Sequence, residues 1–380
     1  MNKIFHAYKN KITNKLWGKV HMPANGKKKG SVLMSYLTEP FTLAPWEKFS
    51  NLHTNYWECY EIARLFSEQG YDIDIINWNN TTFIPQKSYC VCIDIQNNLK
   101  RLSQFLPKDC KKVMHIVSSY AEFQNMAESK RLEDLYKRKG VRLSARRTMP
   151  VSRNPEFADF LEGFGNRIIH DTYKRFEKTI FPIPISAVKL FDFPEKKDFE
   201  SARKHFLWFG GGGMVHKGLD LLLEAFARNP SLHLHILGPL EAEKDFVVAY
   251  EKELRQKPNI ATYGRIDATS NALKEIALKC AAIIYPSCSE GTSGAVIQAI
   301  HAGLVPIITP ETGISPEVGG VILKNPTIQS IDKTINEFAA LPVDTIKAMA
   351  CDSWSYVRAR HTQENFSKEY ARFINEVLQL

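Results

Sequence analysis

The chain of 380 residues contains no run of about 20 uncharged apolar residues, the length that a membrane-spanning helix needs. Lysines occupy its first residues instead of an apolar stretch with a small-residue cleavage site, so no secretory leader is predicted. The seven cysteines are scattered and none forms a Cys-x-x-Cys pair, which indicates free thiols in a reducing compartment. These absences favour a cytoplasmic protein.

Acidic residues are also absent from residues 1–30, whose eight lysines account for all but one unit of the formal net charge of +9. Apolar and aromatic residues recur among these lysines at helical spacing: Phe5, Tyr8, Ile12 and Leu16, followed by Trp17. Basic amphipathic helices of this kind are typical of segments that lie on an anionic membrane surface. We therefore expect a basic N-terminal arm, residues 1–29, that attaches the protein peripherally to the inner membrane face, with a solvated terminus as the alternative. Nucleic acid is not expected as a partner, because no recognised binding motif accompanies the lysines.

The rest of the chain alternates strand and helix patterns twice. An uncharged apolar strand at 31–37 begins the first series, and a strand at 205–209 begins the second, after a proline-containing stretch that suits a linker. We predict an α/β fold with two Rossmann-like domains, 30–186 and 187–355, and a cleft between them. A C-terminal helix, 356–380, is expected to complete the first domain.

Four consecutive glycines follow the first strand of the second domain: Gly210, Gly211, Gly212 and Gly213. Val215 and His216 depart from the dinucleotide fingerprint and the P-loop, respectively. Lys217 lies at the start of the next helix, where a cation is unfavourable unless an anion binds there. The loop therefore predicts a phosphate site, with a solvated lysine after a loose turn as the alternative.

A second loop, residues 285–294, follows another apolar strand of the same domain and carries one carboxylate, Glu290. Small residues then lead into a helix: Gly291, Thr292, Ser293 and Gly294. A diphosphate could bind the backbone N–H groups at the positive end of this helix, while Glu290 accepted hydrogen bonds from neutral hydroxyl groups. This combination indicates a site for a nucleotide-activated sugar.

The two loops together resemble the donor domain of retaining glycosyltransferases of family 4, the group 1 class with the GT-B fold of two Rossmann-like domains. That family carries a glycine loop followed by Lys-Gly, as at Lys217-Gly218, and a Glu-x7-Glu element, as from Glu290 to Gln298. The resemblance covers residues 205–323, and the first half resembles the family only in outline. Two positions depart from the pattern, because Gly212 replaces an arginine and Gln298 replaces the second glutamate.

The resemblance implies a retaining hexosyltransferase that uses a nucleotide-diphosphate sugar as donor and a glycan or lipid-linked molecule as acceptor, in the assembly of a surface polysaccharide or glycolipid. Neither a metal nor a cofactor is expected, since the Asp-x-Asp pattern at 72–74 lies within a predicted strand. Two alternatives remain open. One is a non-catalytic binding subunit, and the other is a sugar-nucleotide epimerase or phosphorylase of the same architecture.

Site roles also follow from the resemblance. It assigns catalytic roles to Glu290, Lys217 and His115, the last through a contact with the donor sugar. A lone histidine on an apolar strand also suits a buried core position. Donor binding is expected from both glycine-containing loops, Gln298 and Arg265. On the acceptor side we expect His53 and the pair Arg146 and Arg147, whose charges suit a phosphate-bearing acceptor or, alternatively, solvent.

Overall fold

Two largely parallel β-sheets, one in each half of the chain, organise the fold. The computed structural model describes residues 3–44, 47 and 53–379. The first sheet contains β1 (Lys19–Met22), β2 (Gly30–Tyr36), β3 (Tyr71–Asn77), β4 (Val91–Asp94), β5 (Lys111–Ile116), β6 (Phe160–Gly163) and β7 (Ile180–Pro182). The second contains β8 (His205–Phe209), β9 (His233–Leu237), β10 (Ile260–Thr262), β11 (Ala282–Tyr285), β12 (Val305–Ile308) and β13 (Val321–Ile322).

Helices connect these strands and cover the sheets. Those of the first half are α1 (Lys3–Trp17), α2 (Asn55–Glu68), α3 (Leu99–Leu102), α4 (Ala121–Lys139), α5 (Asn154–Phe157) and α6 (Arg167–Asp171). Those of the second half are α7 (Phe199–Ala202), α8 (Leu219–Arg228), α9 (Lys244–Ala249), α10 (Glu251–Gln256), α11 (Asn271–Lys279), α12 (Gly294–His301), α13 (Ile328–Ala339), α14 (Val343–Arg360) and α15 (Gln363–Arg372).

The first sheet has the strand order β1-β3-β2-β4-β5-β6-β7. Its interior strand β2 is uncharged and almost wholly buried, as expected for a parallel strand covered on both faces. The edge strand β1 pairs antiparallel with β3, with Val20 opposite Ile75. Residues 19–22, which the sequence analysis assigned to the arm, therefore belong to the sheet.

The second sheet has the order β10-β9-β8-β11-β12-β13, and all of its pairs are parallel. Strands β8 and β11 lie at its centre, and β11 is buried throughout. The loops that follow these two strands therefore meet at one edge of the sheet, where ligands of open α/β folds bind. Those loops carry Lys217 and Glu290.

The C-terminal segment returns to the first domain. Tyr370 of α15 donates a hydrogen bond to Glu162 of β6 at 3.1 Å, and Ser367 donates one to Glu61 of α2. Lys111 of β5 donates to the carbonyl of Leu378. The chain thus crosses between the domains twice.

Helix α1 docks on the first domain through Asn10, which is 5% exposed. Its amide donates to the carbonyls of His21 and Phe41 at 3.1 and 3.0 Å. The opposite face exposes Tyr8, Ile12 and Leu16 by 68, 48 and 64%. The side chains of Phe5 and Trp17 lie outside the described part. Across the ranges that the structure describes, no helix is long and apolar enough to cross a membrane.

Candidate functional site

Lys217 and Glu290 form an ion pair at the carboxyl ends of β8 and β11, with side chains 8 and 12% exposed. The Lys217 ammonium contacts the Oε1 atom of Glu290. Tyr285 and Ser287 each donate a hydroxyl hydrogen bond to the same oxygen at 3.2 Å. Among the described residues no side chain donates to the Oε2 atom, so this oxygen can accept hydroxyl groups of a ligand.

The Glu290 carboxyl is ionised at neutral pH. Burial alone would raise the pKa of the Glu290 carboxyl, but the Lys217 ammonium, with His216 and Arg147, holds this pKa at about 2. Burial lowers the pKa of Lys217; Glu290 opposes that effect, and Arg147 adds to it. The site therefore presents a fixed carboxylate beside a desolvated cation.

The glycine loop is held by a carboxylate that the sequence analysis did not identify. Glu243, 5% exposed, accepts hydrogen bonds from the backbone N–H groups of Gly213 and Met214. Gly210 donates to the carbonyl of Leu237 at 3.0 Å. Of the four glycines expected to bind a diphosphate, this leaves the N–H groups of Gly211 and Gly212 without an acceptor in the described backbone.

His216 joins the glycine loop to the Glu290 loop. Its Nε2 atom lies 2.5 Å from the carbonyl oxygen of Ser289, and Cys288 donates its N–H to the carbonyl of His216 at 2.9 Å. Burial lowers the pKa of His216 to about 4, so the ring is neutral and donates through Nε2. Gly218 permits the close approach of the loops, because a Cβ atom there would lie 2.5 Å from the Pro286 carbonyl oxygen.

The small residues after Glu290 lie at the start of α12, and the sequence predicted that a helix begins there. Ser293 donates its N–H to the carbonyl of Thr312 at 3.0 Å, and the Thr292 hydroxyl donates to Gly313 at 3.3 Å. Gly291 and Gly294 have no acceptor for their N–H groups in the described backbone. The N–H of Ser293 is thus occupied by the protein, while those of Gly291 and Gly294 are left for a ligand.

The first domain contacts the main chain of Glu290. Ser119, just beyond β5, donates its N–H to the carbonyl of Glu290 at 3.0 Å, and its hydroxyl bonds to that of Ser289. Asn166 caps α6 and donates to the carbonyls of Pro310 and Ile314 at 2.8 and 2.9 Å. Both domains therefore define the geometry of the site.

His115 is placed inside the first domain. It is fully buried, and its Nδ1 atom lies 2.8 Å from both carboxylate oxygens of Glu162. Its ring packs against Tyr36 and Phe164, and no described contact joins it to Glu290 or Lys217. Its Nε2 atom is buried without a hydrogen-bond partner among the described residues, and the expected contact with the donor sugar stays a prediction.

The side-chain amide of Gln298 is hydrogen-bonded to the interdomain linker. Its Oε1 atom accepts from the N–H of Lys189 at 3.2 Å, and its Nε2 atom donates to the carbonyl of the same residue at 2.8 Å. A ribose contact by Gln298, as expected from the resemblance, would require these bonds to break.

The acceptor-side candidates are separated by the structure. Arg146 pairs with Asp245 at 2.6 Å. Arg147 lies on Gly213, where a Cβ atom would be 2.7 Å from the Arg147 Cγ atom. Desolvation lowers the pKa of His53, and the charges of Arg265, Arg147 and Lys217 lower it further. His53, Arg147 and Arg265 thus lie near Lys217, whereas the guanidinium of Arg146 is engaged by Asp245 of α9.

Within the described ranges, no three histidine, cysteine, aspartate or glutamate side chains are grouped so that they could hold a metal ion.

Residues 195–351 match the family described as glycosyl transferases group 1. No curated protein sequence is similar enough to match the chain. The family match covers the second domain with both loops.

The whole chain is similar in fold to solved structures. Sucrose-phosphate synthase from Thermosynechococcus elongatus has a TM-score of 0.64 at 14% identity, over 92% of this chain and 99% of that one. HepE from Anabaena, in complex with UDP and glucose, has a TM-score of 0.57 at 11% identity, over 92 and 99%. S. aureus TarM, in complex with fondaparinux, α-GlcNAc-glycerol and UDP, has a TM-score of 0.52 at 13% identity, over 75% of this chain and 55% of that one. The chain thus spans about half the length of TarM, and the predicted α/β fold of two Rossmann-like domains in the GT-B architecture is confirmed.

Proposed function

We propose that the protein is a hexosyltransferase that moves a hexose from a nucleotide-diphosphate sugar to a glycan or lipid-linked acceptor with retention. The Lys217–Glu290 pair carries this proposal. The Lys217 ammonium and the unbonded Oε2 atom of Glu290 lie side by side at the end of a parallel sheet, where they would bind the diphosphate and the sugar hydroxyls, respectively. Solved structures of the same fold contain UDP with a sugar, which supports this class of donor.

The residues suit the charge that develops during transfer. Breaking the bond between sugar and phosphate places negative charge on the leaving diphosphate. Lys217 and the N–H groups of Gly211 and Gly212 would stabilise that charge, together with the start of α12. Glu290 would orient the sugar through its Oε2 atom. The donor phosphate would accept the proton of the acceptor, and we propose that no metal or cofactor takes part.

A thermal-shift panel tests the proposal. UDP, GDP and ADP, and their glucose conjugates, are added to the wild-type protein, because a ligand that binds the folded state raises its melting temperature with the logarithm of concentration over Kd. At least one nucleoside diphosphate, together with its glucose conjugate, is expected to raise the melting temperature. Stabilisation by none of them would favour a non-catalytic binding subunit, an alternative motivated by Gly212 and by the occupied amide of Gln298. Release of free nucleotide without an acceptor-linked sugar would favour an epimerase or phosphorylase.

We also propose that helix α1 rests on an anionic membrane at the cytoplasmic face, where a lipid-linked acceptor would be available. Tyr8, Ile12 and Leu16 lie on one exposed face, and Asn10 fixes the opposite face to the domain. Lysines 9, 11 and 15 flank the exposed apolar residues, which suits acidic headgroups. Because the helix is already docked, little ordering entropy opposes its binding.

A further inference from the structure

One side chain of the first domain reaches the glycine loop of the second. A Cβ atom on Gly213 would lie 2.7 Å from the Cγ atom of Arg147 and 3.1 Å from its Cδ atom, so the aliphatic part of Arg147 occupies space that only glycine leaves. Gly213 also has φ of +92°, a backbone conformation that favours glycine. Arg147 therefore crosses the domain boundary onto the loop that leads to Lys217.

Buried groups of α4 fix the main chain at this point. Glu128, 2% exposed, accepts hydrogen bonds from the N–H groups of Arg146 and Arg147 at 2.8 and 3.0 Å. Gln124, also 2% exposed, donates to the carbonyl of Arg147. The segment thus has a defined position, although the side chain of Arg147 is exposed.

The guanidinium of Arg147 makes no direct ion pair with a described carboxylate. Neighbouring cations that cross the boundary have acidic partners: Arg138 pairs with Asp220, and Lys139 pairs with Glu253. Arg147 has no such partner among the residues that the structure describes. The nearby carboxylates are already engaged, because Glu290 pairs with Lys217 and Glu243 accepts from the N–H groups of Gly213 and Met214. The guanidinium of Arg147 is therefore available to bind an anion.

The geometry points to Arg147 as a donor-binding residue that grips the diphosphate of the nucleotide-sugar from across the cleft, opposite Lys217. This inference rests on the proposed function and adds a residue from the first domain to the donor site. A guanidinium can bind two phosphate oxygens at once, whereas the Lys217 ammonium acts as a point charge. The donor is favoured over a phosphate-bearing acceptor, because Arg147 lies directly on the glycine loop.

A titration of nucleotides against nucleosides tests this assignment. UDP, GDP and ADP are each compared with uridine, guanosine and adenosine by calorimetry on the wild-type protein and on Arg147→Gln. Loss of a charge-assisted phosphate contact is expected to weaken the preferred diphosphate roughly 10- to 100-fold and to leave its nucleoside unchanged. Arg147→Lys should retain part of the affinity. Lys139→Gln is the control, since it removes another cation of the domain boundary away from the glycine loop, and it should bind the diphosphate like the wild type.

Each of the other possible results would contradict the inference, and each has a different meaning. If wild-type and Arg147→Gln proteins bind the diphosphate equally, Arg147 is not part of the donor site and the proposed function stands. Equal weakening of diphosphate and nucleoside would indicate a structural role. An unchanged diphosphate Kd with a raised KM for the acceptor would assign Arg147 to the acceptor. If the wild type binds none of the three diphosphates, the proposed function itself fails. Urea unfolding of both Gln variants checks that each is folded.

Discussion

Ser119 donates its backbone N–H to the carbonyl oxygen of Glu290 at 3.0 Å, so the first domain holds the main chain of the acid whose side chain pairs with Lys217. The next residue, Gly291, lies against the first domain as well, because a Cβ atom there would be 2.2 Å from the Val117 carbonyl oxygen. The position of Glu290 therefore depends on contact between the domains.

Substitution of Gly291 should disrupt this contact. In Gly291→Ala the added methyl group would displace the Glu290 loop or open the cleft, and displacement of a reacting group by about 1 Å can cost on the order of 100-fold in rate. We expect kcat/KM for sugar transfer to fall by about that factor. Gly294→Ala is the matched control, since its Cβ atom would meet only Ile185 at an ordinary 3.6 Å. Equal activities of the two variants would show that the contact does not position Glu290.

The Lys217–Glu290 pair should give the protein a pH-dependent stability. The pKa of Glu290 is about 2 in the folded protein, below its usual value of 4.5. The corresponding stabilisation is fully present above about pH 4.5 and is lost as the pH falls towards 2. Its size is roughly 3 kcal/mol.

The free energy of urea unfolding at pH 6 and pH 3 measures this effect. The wild type should lose more stability between the two values than Glu290→Gln, which lacks the titrating group. Parallel losses in the two proteins would rule out a strongly lowered pKa at Glu290.

Glu243 should stabilise the glycine loop. In Glu243→Gln the amide nitrogen cannot accept a hydrogen bond, so one of the N–H groups of Gly213 and Met214 loses its partner in a buried place. We expect the free energy of unfolding to fall by about 1–3 kcal/mol. Glu241→Gln, an exposed position two residues earlier, should change it little. A stability of Glu243→Gln equal to that of this control would argue against the loop-holding role.

The exposed face of α1 should bind anionic vesicles. The triple variant Tyr8→Ser, Ile12→Ser, Leu16→Ser removes about 1.5 kcal/mol of apolar transfer energy per side chain, or about 4.5 kcal/mol in all, which corresponds to a loss on the order of 1000-fold in binding. Sedimentation with phosphatidylglycerol vesicles measures this, and neutral phosphatidylcholine vesicles should bind the wild type weakly.

Deletion of residues 1–29 is a poor test, because it would also remove the edge strand β1. The control variant is Val248→Ser, which removes an apolar side chain that is 74% exposed but lies on α9 and not on α1. Wild-type vesicle binding by the triple variant would contradict the proposed attachment through α1.

The local signals in the sequence predicted the centre of each sheet and the loops of the site. Apolar strands such as β2 and β11 are uncharged and bounded by turn residues, and Lys217 and Glu290 each follow such a strand. Parallel neighbours at the centre of a sheet bring their carboxyl ends together, so the pairing of Lys217 with Glu290 follows from local patterns and topology.

Contacts between residues that are far apart in the sequence had no such local signal. The bonds of Glu243 to the glycine loop and of Ser119 to Glu290 depend on how elements pack, and neither residue belongs to a local motif. The short strand β1 lacks an alternating pattern long enough to distinguish it from the arm. Gln298 lies on α12 as predicted. Its hydrogen-bond partner, Lys189, lies in a linker whose path the sequence does not determine.

The most direct test of the proposed site is the affinity of the preferred nucleoside diphosphate and of its sugar conjugate for wild-type, Lys217→Gln and Glu290→Gln proteins, measured by calorimetry. Lys217→Gln should weaken both ligands, because both carry the diphosphate. Glu290→Gln should weaken the sugar conjugate more than the diphosphate, because the carboxylate is proposed to bind the sugar. Wild-type affinities of both variants for both ligands would contradict the account.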